Sequence, residues 1–330
     1  MSSFRAIIAK ELEGSIKVDF ADVPRDDLPD NGVTVNVKYS SLNFKDGLAL
    51  HGNRGKVMRN FPMVPGIDFS GVVIDSKTTN FKPGDEVLVT GCGIGEKTWG
   101  GFSEYASVDP KHIIKVPKNI GLQRSMAIGT AGFTSMLCII ALENMNIEKQ
   151  NKPILITGAS GGVGSISIAI LSNLGYQISA STGREENHKF LRELGATDII
   201  GRETFSRESK PIESSSWSGA IDTVGGKTLA TVISQIVPKG SIACCGNVGG
   251  IDLHTSVLPL ILRGINILGI DSVNCDYSLR ELVWSRLSSD LPFERLELIT
   301  EEIPFSNLLN NYKKIIEGSV KGRLVININE

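Results

Sequence analysis

Ile154-Leu155-Ile156 runs without a break into Thr157-Gly158-Ala159-Ser160-Gly161-Gly162-Val163-Gly164, and then into the apolar stretch Ser165-Ile166-Ser167-Ile168-Ala169-Ile170-Leu171. Such a segment reads as a buried strand that turns through glycines directly into a helix. Amides at a helix N-terminus point outward at the positive end of the dipole, and glycines let a phosphate approach the backbone closely. The context predicts a dinucleotide site on a parallel sheet. The downstream chain agrees: QISAS, HKFLRELG, GAIDTVG, KTLATVISQIV and SIACCG alternate strand with helix, the pattern of right-handed crossovers.

The second strand of this unit ends in Ser181-Thr182-Gly183-Arg184, with no carboxylate before Glu185. An acid at that position would accept bonds from a ribose 2′-hydroxyl. Small hydroxyls and a guanidinium instead suit a 2′-phosphate, so NADPH is expected rather than NADH. The loop also satisfies the Thr-Gly-x-x-x-Gly-x-Gly pattern of short-chain dehydrogenases. Those carry a later Tyr-x-x-x-Lys, and none of Tyr176, Tyr277 and Tyr312 has Lys four residues on.

At 330 residues the chain has room for about two domains. Before the glycine loop, residues 4–117 read as short strands punctuated by Gly and Pro: SIKVDF, VTVNVKYSSL, GVVI, DEVLVTG, SEYASV and HIIKVP. Residues 125–149 read as helix. After residue 271 the chain returns through LRELVWSRLSSDL and NLLNNYKKIIEG to a final strand, RLVININ. A net charge of −2 without a basic tract argues against nucleic-acid binding. No signal peptide and no apolar run of the ~20 residues a membrane span needs is expected. Five cysteines, odd in number and never spaced Cys-x-x-Cys, suggest reduced thiols in a cytoplasmic protein. Cys244 and Cys245 read as strand packing. The four histidines are scattered, with His51 near enough to the Asn43 segment to stand as a candidate proton donor.

Several motifs bear on identity. Gly66-Ile67-Asp68-Phe69-Ser70-Gly71, Pro83-Gly84-Asp85-Glu86-Val87 and Gly100-Gly101-Phe102-Ser103-Glu104-Tyr105 resemble the Gly-His-Glu-x-x-Gly, Pro-Gly-Asp-x-Val and Gly-Gly-x-Ala-Glu-Tyr motifs of the medium-chain dehydrogenase/reductase superfamily. Longer matches are Ser40-Ser41-Leu42-Asn43-Phe44-Lys45-Asp46, Arg59 to Asp68, Gly129-Thr130-Ala131-Gly132-Phe133-Thr134 and Gly219 to Gly225. They are similar to a zinc-free branch, the NADPH-dependent acryloyl-CoA reductases, also labelled quinone oxidoreductase-like. Ile67 stands where zinc enzymes carry the motif histidine, and Cys92 is the only cysteine before residue 130, so neither zinc site can be assembled.

The resemblance implies an α/β chain: a β-rich GroES-like catalytic domain at 1–123 and 266–330, and a Rossmann-type doubly wound parallel sheet at 124–265. It implies NADPH as cofactor, with Ser160, Gly161, Gly162, Val163 and Gly164 at the pyrophosphate. Ser181, Thr182, Gly183, Arg184 and Arg202 would hold the 2′-phosphate, and Asn247 and Ser272 would lie at the nicotinamide end. The family usually has Tyr at the position of Phe44, so one polar cofactor contact is lost there. The implied reaction is reduction of the conjugated C=C of acryloyl-CoA to propionyl-CoA. Hydride goes to the β-carbon and a proton to the α-carbon, while charge develops on the thioester oxygen.

Asn43, Asp46 and Arg323 are the candidate catalytic residues. Lys45 is a further candidate donor. Asn43 has a plainer reading as turn former and Asp46 as cap of a helix DGLALHG, while Arg323 stands at the opening of the last strand. Arg54, Lys56 and Arg59 form a basic loop that could meet coenzyme A phosphates or simply be solvated. A quinone or enone reductase is the alternative activity, and an NADPH-binding protein without turnover is the alternative of another class. The apolar strand INILGID, near the end of the cofactor sheet, resembles the edge that pairs across a two-fold in this superfamily, and an unpaired apolar edge would invite aggregation, so a homodimer is expected.

Overall fold

The computed structural model of the protein describes residues 2–147, 149 and 152–330. In chain order its elements are β1 (Ser3–Leu12), β2 (Ser15–Pro24), β3 (Val33–Leu42), α1 (Phe44–Leu50), β4 (Asp68–Ser76), β5 (Glu86–Thr90), β6 (Tyr105–Val108), β7 (Ile114–Lys115), α2 (Gly121–Asn144), β8 (Ile154–Ile156), α3 (Gly162–Asn173) and β9 (Ile178–Thr182). They continue with α4 (His188–Glu193), β10 (Asp198–Gly201), β11 (Trp217–Asp222), α5 (Gly226–Gln235), β12 (Ile236–Cys244), α6 (Leu258–Arg263), β13 (Asn266–Gly269), α7 (Tyr277–Asp290), α8 (Phe293–Ile299), β14 (Thr300–Pro304), α9 (Leu308–Ile316) and β15 (Arg323–Asn327).

Two compact units result. The first comprises Met1–Thr130, Val273–Ser288 and Thr300–Glu330; the second comprises Ala131–Ser272 and Ser289–Ile299. In the first, a seven-stranded sheet runs β14-β15-β3-β4-β5-β7, with β6 also on β3, beside the β1-β2 hairpin. Its alternating strands bury one face: Val33, Val35, Val37, Phe69, Val73, Val87 and Val89 are core residues, joined by Leu324 and Ile326. The C-terminal return is thus part of this sheet's core, because β15 pairs antiparallel with β3 and parallel with β14.

The second unit holds a six-stranded, all-parallel sheet in the order β10-β9-β8-β11-β12-β13. Counted from β8, this is the dinucleotide-fold order 3-2-1-4-5-6, and its switch point falls between β8 and β11. Ile154, Leu155 and Ile156 of β8 are buried, as a strand covered on both faces must be.

Several elements differ from the sequence reading. The long helix begins at Gly121 and ends at Asn144; Glu148, expected near its end, lies outside the described residues. At 24 residues and high mean hydropathy, α2 is long and apolar enough to cross a membrane, contrary to the expectation of no such run. Of its most apolar window, 83% is packed inside the fold, as in a core helix. Strands β10 and β14 and helix α8 are not evident in the sequence pattern. They are short, and β10 and β14 bury only part of their residues, so their periodicity is weak.

Candidate active site

Strand register assembles a buried polar cluster in the first unit. Ser40 pairs with Phe69 across β3 and β4, so the next step brings Ser41 opposite Asp68. Leu324 pairs with Leu42 across β15 and β3, so the next step brings Arg323, 280 residues away in sequence, to Asn43. Asp68, Ser41, Asn43, Asp46 and Arg323 are all buried.

Asp68 is the centre of this cluster. Its Oδ2 accepts hydrogen bonds from Ser41 Oγ (2.7 Å), Asn43 Nδ2 (2.9 Å) and the Thr130 amide (2.7 Å), and its Oδ1 accepts from Thr130 Oγ1. Arg323 donates through Nε to the Ala127 carbonyl at 3.0 Å and through Nη1 to Asn43 Oδ1 at 3.1 Å. Its Nη2 lies 4.0 Å from Asp68 Oδ2 and, although buried, has no hydrogen-bond partner among the described residues. Asn43 is therefore fixed at both ends of its amide, accepting from Arg323 and donating to Asp68.

Asn43 is also the N-cap of α1. The helix starts at Phe44, two residues earlier than the DGLALHG reading, and Asp46 occupies its third position. Asp46 Oδ2 accepts from the Asn43 amide at 2.9 Å and from Asn43 Nδ2 at 3.1 Å, one half of a capping box. Its Oδ1 accepts from the Ile67 amide at 2.9 Å. The cap reading and the site reading thus describe the same carboxylate.

Burial, and secondarily the charge of Asp68, push the Asp46 carboxyl up to about 7, against the opposing hydrogen bonds from Asn43 and Ile67. Burial lowers Arg323 from its ordinary value, opposed by the charges of Asp68 and Asp46.

The backbone of α2 closes over the cluster. At Gly129 the helix is interrupted by φ +50°, ψ −160°, a conformation that only glycine adopts readily. A β-carbon there would stand 2.5 Å from Arg323 Nη2, 2.7 Å from Asp68 Oδ2 and 2.8 Å from Ser41 Oγ. The same kink turns the Thr130 amide out of the helical ladder and onto Asp68.

In the second unit, α3 begins at Gly162, so the amides of Gly162, Val163 and Gly164 have no intrahelical acceptor. Gly158 takes φ +58°, and its Cα lies so close to the Thr223 hydroxyl that a β-carbon would overlap it. The loop is tied down on both sides: Ala159 N–H donates to the Ser181 carbonyl at 3.1 Å, and Thr157 Oγ1 donates to Asp222 Oδ1 at 2.7 Å. Arg184 Nη2 donates to Ser160 Oγ at 3.3 Å, and its amide to Thr182 Oγ1. The exposed Arg202 packs its guanidinium against Gly183, in the space a β-carbon would take. Two guanidinium groups and the hydroxyls of Ser160 and Thr182 thus gather at the end of β9, a donor set that fits a phosphate beside free helix amides.

Other expected residues stand apart from these clusters. Phe44 is the first residue of α1 and half-buried. Asn247 is exposed, its carbonyl accepting from Gly250, and Ser272 is half-buried beyond β13. Lys45 pairs with Glu96 at 2.9 Å. His51 follows α1 and stacks at a tilt near Tyr312, with ring centroids 6.1 Å apart. Burial pushes the Cys244 thiol up to about 12. Sequence reasoning did not single out Asp68 or Thr130 as site residues; both stood only as members of matched motifs, Gly66 to Gly71 and Gly129 to Thr134.

Two family models match the chain: the alcohol dehydrogenase GroES-like domain over residues 29–118 and the zinc-binding dehydrogenase over residues 162–289. The acrylyl-CoA reductase AcuI of Ruegeria pomeroyi is 43% identical over 329 residues, 99% of each chain. The chain belongs to the medium-chain dehydrogenase/reductase family. Within that family, the crystal structure of Escherichia coli K-12 YhdH with bound NADPH is 43% identical and superposes with a TM-score of 0.95, covering 98% of this chain and 100% of that one. The Bacillus subtilis protein YhfP with NAD bound is 38% identical, also at a TM-score of 0.95, over 99% and 100% of the two chains. A zinc site does not fit this family member. Ile67 is apolar and buried, and among the described residues no three His, Cys, Asp or Glu side chains are placed to hold a metal.

The raised Asp46 value has a measurable consequence. In the unfolded chain this carboxyl ionises near 3.8, and in the folded chain near 7. Between those values only the folded state holds the proton, so this group's contribution to stability falls as pH rises from about 4 to about 7 and is flat above. Urea titrations across that range should show the decline, and Asp46→Asn should remove it; an unchanged slope in the variant would contradict the assignment.

Proposed function

We propose that this protein is an NADPH-dependent reductase of acryloyl-CoA, giving propionyl-CoA. The observation that carries the proposal is the buried Arg323 guanidinium, fixed on Asn43 and left with an Nη2 that has no partner among the described residues. Reduction of a conjugated thioester develops negative charge on the thioester oxygen, and a preorganised cation in a dry site stabilises such charge well. The name of the 43% identical Ruegeria relative and its near-complete coverage support the same reading.

NADPH, when bound, supplies the hydride. The chain's own residues do the rest. Gly162, Val163 and Gly164 offer helix amides to the pyrophosphate, with Ser160 and Gly161 in the turn before them. Thr182, Gly183, Arg184 and Arg202, with Ser181 beneath, receive the 2′-phosphate. Asn247 and Ser272 are assigned to the nicotinamide end. Asn43 orients Arg323, whose Nη2 would polarise the thioester, and Asp46 holds a proton near neutral pH.

Steady-state kinetics with NADPH should give a higher kcat/KM for acryloyl-CoA than for benzoquinone; the reverse order would make the protein a quinone reductase. Arg184→Ala should raise KM for NADPH at least tenfold while changing KM for NADH little. Equal effects on the two cofactors would misplace the 2′-phosphate.

The active form is proposed to be a homodimer. Strand β13 ends the six-stranded sheet, and Ile251, Val257, Ile261 and Leu262, in the segment between β12 and β13, are each more than 60% exposed. Pairing β13 with a second copy about a two-fold would cover the strand edge. Analytical sedimentation should give twice the 35.5 kDa subunit mass, and a value near one subunit would refute the dimer.

A further inference from the structure

We propose that Asp68, through hydrogen bonds from three separate elements, is the positioning residue that holds Asn43 and Arg323 in their working geometry. The inference rests on the proposed roles of Asn43 and Arg323, and it concerns a residue that touches neither substrate nor cofactor in that scheme.

A carboxylate has about four lone-pair sites. Four donors of the protein converge on Asp68: Ser41 from the end of β3, Asn43 from the cap of α1 and the amide of Thr130 on Oδ2, and the hydroxyl of Thr130, from the kink in α2, on Oδ1. Asp68 is fully buried beneath these donors, and its work is that of an anchor. Its effect is to tie three elements to one point at the start of β4. Its fully buried charge is balanced by Arg323, which sits 4.0 Å away and gives its direct hydrogen bonds to Asn43 and Ala127 instead. Arg323 is thereby attracted to Asp68 without being consumed by it, and Nη2 keeps its donors.

Gly129 shows how tightly the arrangement is set, since the backbone passes within a β-carbon's reach of Arg323, Asp68 and Ser41 together. Asp68 also acts through space on the second carboxylate. The ionisable groups that feel its charge are Asp46 from α1, Arg323 from β15 and, more weakly, the Cys92 thiol just after β5, and that charge is one of the two causes that raise Asp46. Burying two carboxylates against one guanidinium leaves a net charge unless one is protonated, and Asp46 is the one that takes the proton. Removing the charge of Asp68 should therefore lower the Asp46 value while loosening Asn43.

Asp68→Asn tests this. It keeps the shape of the side chain, removes the charge, and turns one acceptor into a donor facing the donors of Ser41, Asn43 and Thr130. In apo protein labelled with 13C at aspartate carboxyls, the wild type should show a carboxyl titrating near 7. In the variant that midpoint should move to lower pH by at least half a unit. With NADPH and whichever conjugated acceptor the wild type reduces best, kcat should fall at least tenfold with KM for NADPH within twofold. A folded variant with an unmoved midpoint, or with kcat within twofold of wild type, overturns the proposal. Failure of wild type to reduce acryloyl-CoA would instead overturn the substrate reading, and leaves the carboxyl titration as the decisive measurement. Should Asp68→Asn not fold, Ser41→Ala carries the test, since it removes one donor and keeps the charge. It should lower kcat severalfold at unchanged KM for NADPH, and an unchanged kcat overturns the proposal.

Discussion

A buried carboxylate must be hydrogen-bonded on every side or it costs several kcal/mol. Asp68 meets that demand by drawing donors from β3, α1 and α2, and much of the first unit's local geometry depends on it. The Thr130 amide can reach Asp68 only if the helix breaks at Gly129, and the break is possible only because Gly129 lacks a side chain. Asn43 can donate to Asp68 and accept from Arg323 only if it stands at the cap of α1, which Asp46 enforces by bonding back to its amide. Each constraint is individually ordinary. Together they leave the Arg323 guanidinium buried, oriented and with donors to spare.

The second unit obeys a parallel logic with backbone in place of side chains. Its glycine loop is held by Thr157 bonding across the switch point to Asp222 and by Ala159 bonding to the end of β9. Burial raises the Asp222 carboxyl, and Thr157 with the Gly225 and Val224 amides opposes that shift, so this acid also serves as a fixed acceptor rather than a reagent. In both units, then, the buried acids organise other groups, and the groups left with spare donors are guanidinium side chains and helix amides. Such a donor pattern suits anionic or carbonyl-bearing ligands.

Much of this is legible in the chain. The Ile154 to Gly164 segment announces the parallel sheet because a strand, a glycine turn and a helix are local features set by neighbouring residues. The basic end of β9 is equally local, with Ser181 to Arg184 adjacent in sequence. Asn43 and Asp46 can be singled out because they flank a helix start. Arg202 can be placed only through resemblance, since β10 and the residues after it carry weak periodicity.

The two kinds of architecture, the glycine loop and Ile67 at the motif position of the zinc enzymes' histidine could be read from the chain alone, because each depends on residue identity over a few positions. That Asp68 is the centre of the buried cluster and that Arg323 meets Asn43 became visible only in the folded chain. Those contacts depend on antiparallel register between strands far apart in the chain, and a shift of one residue would turn the same side chains to the opposite face. The partner of a buried charge is likewise a property of the packed fold, since nothing local in Gly-Ile-Asp-Phe says which donors will surround the acid.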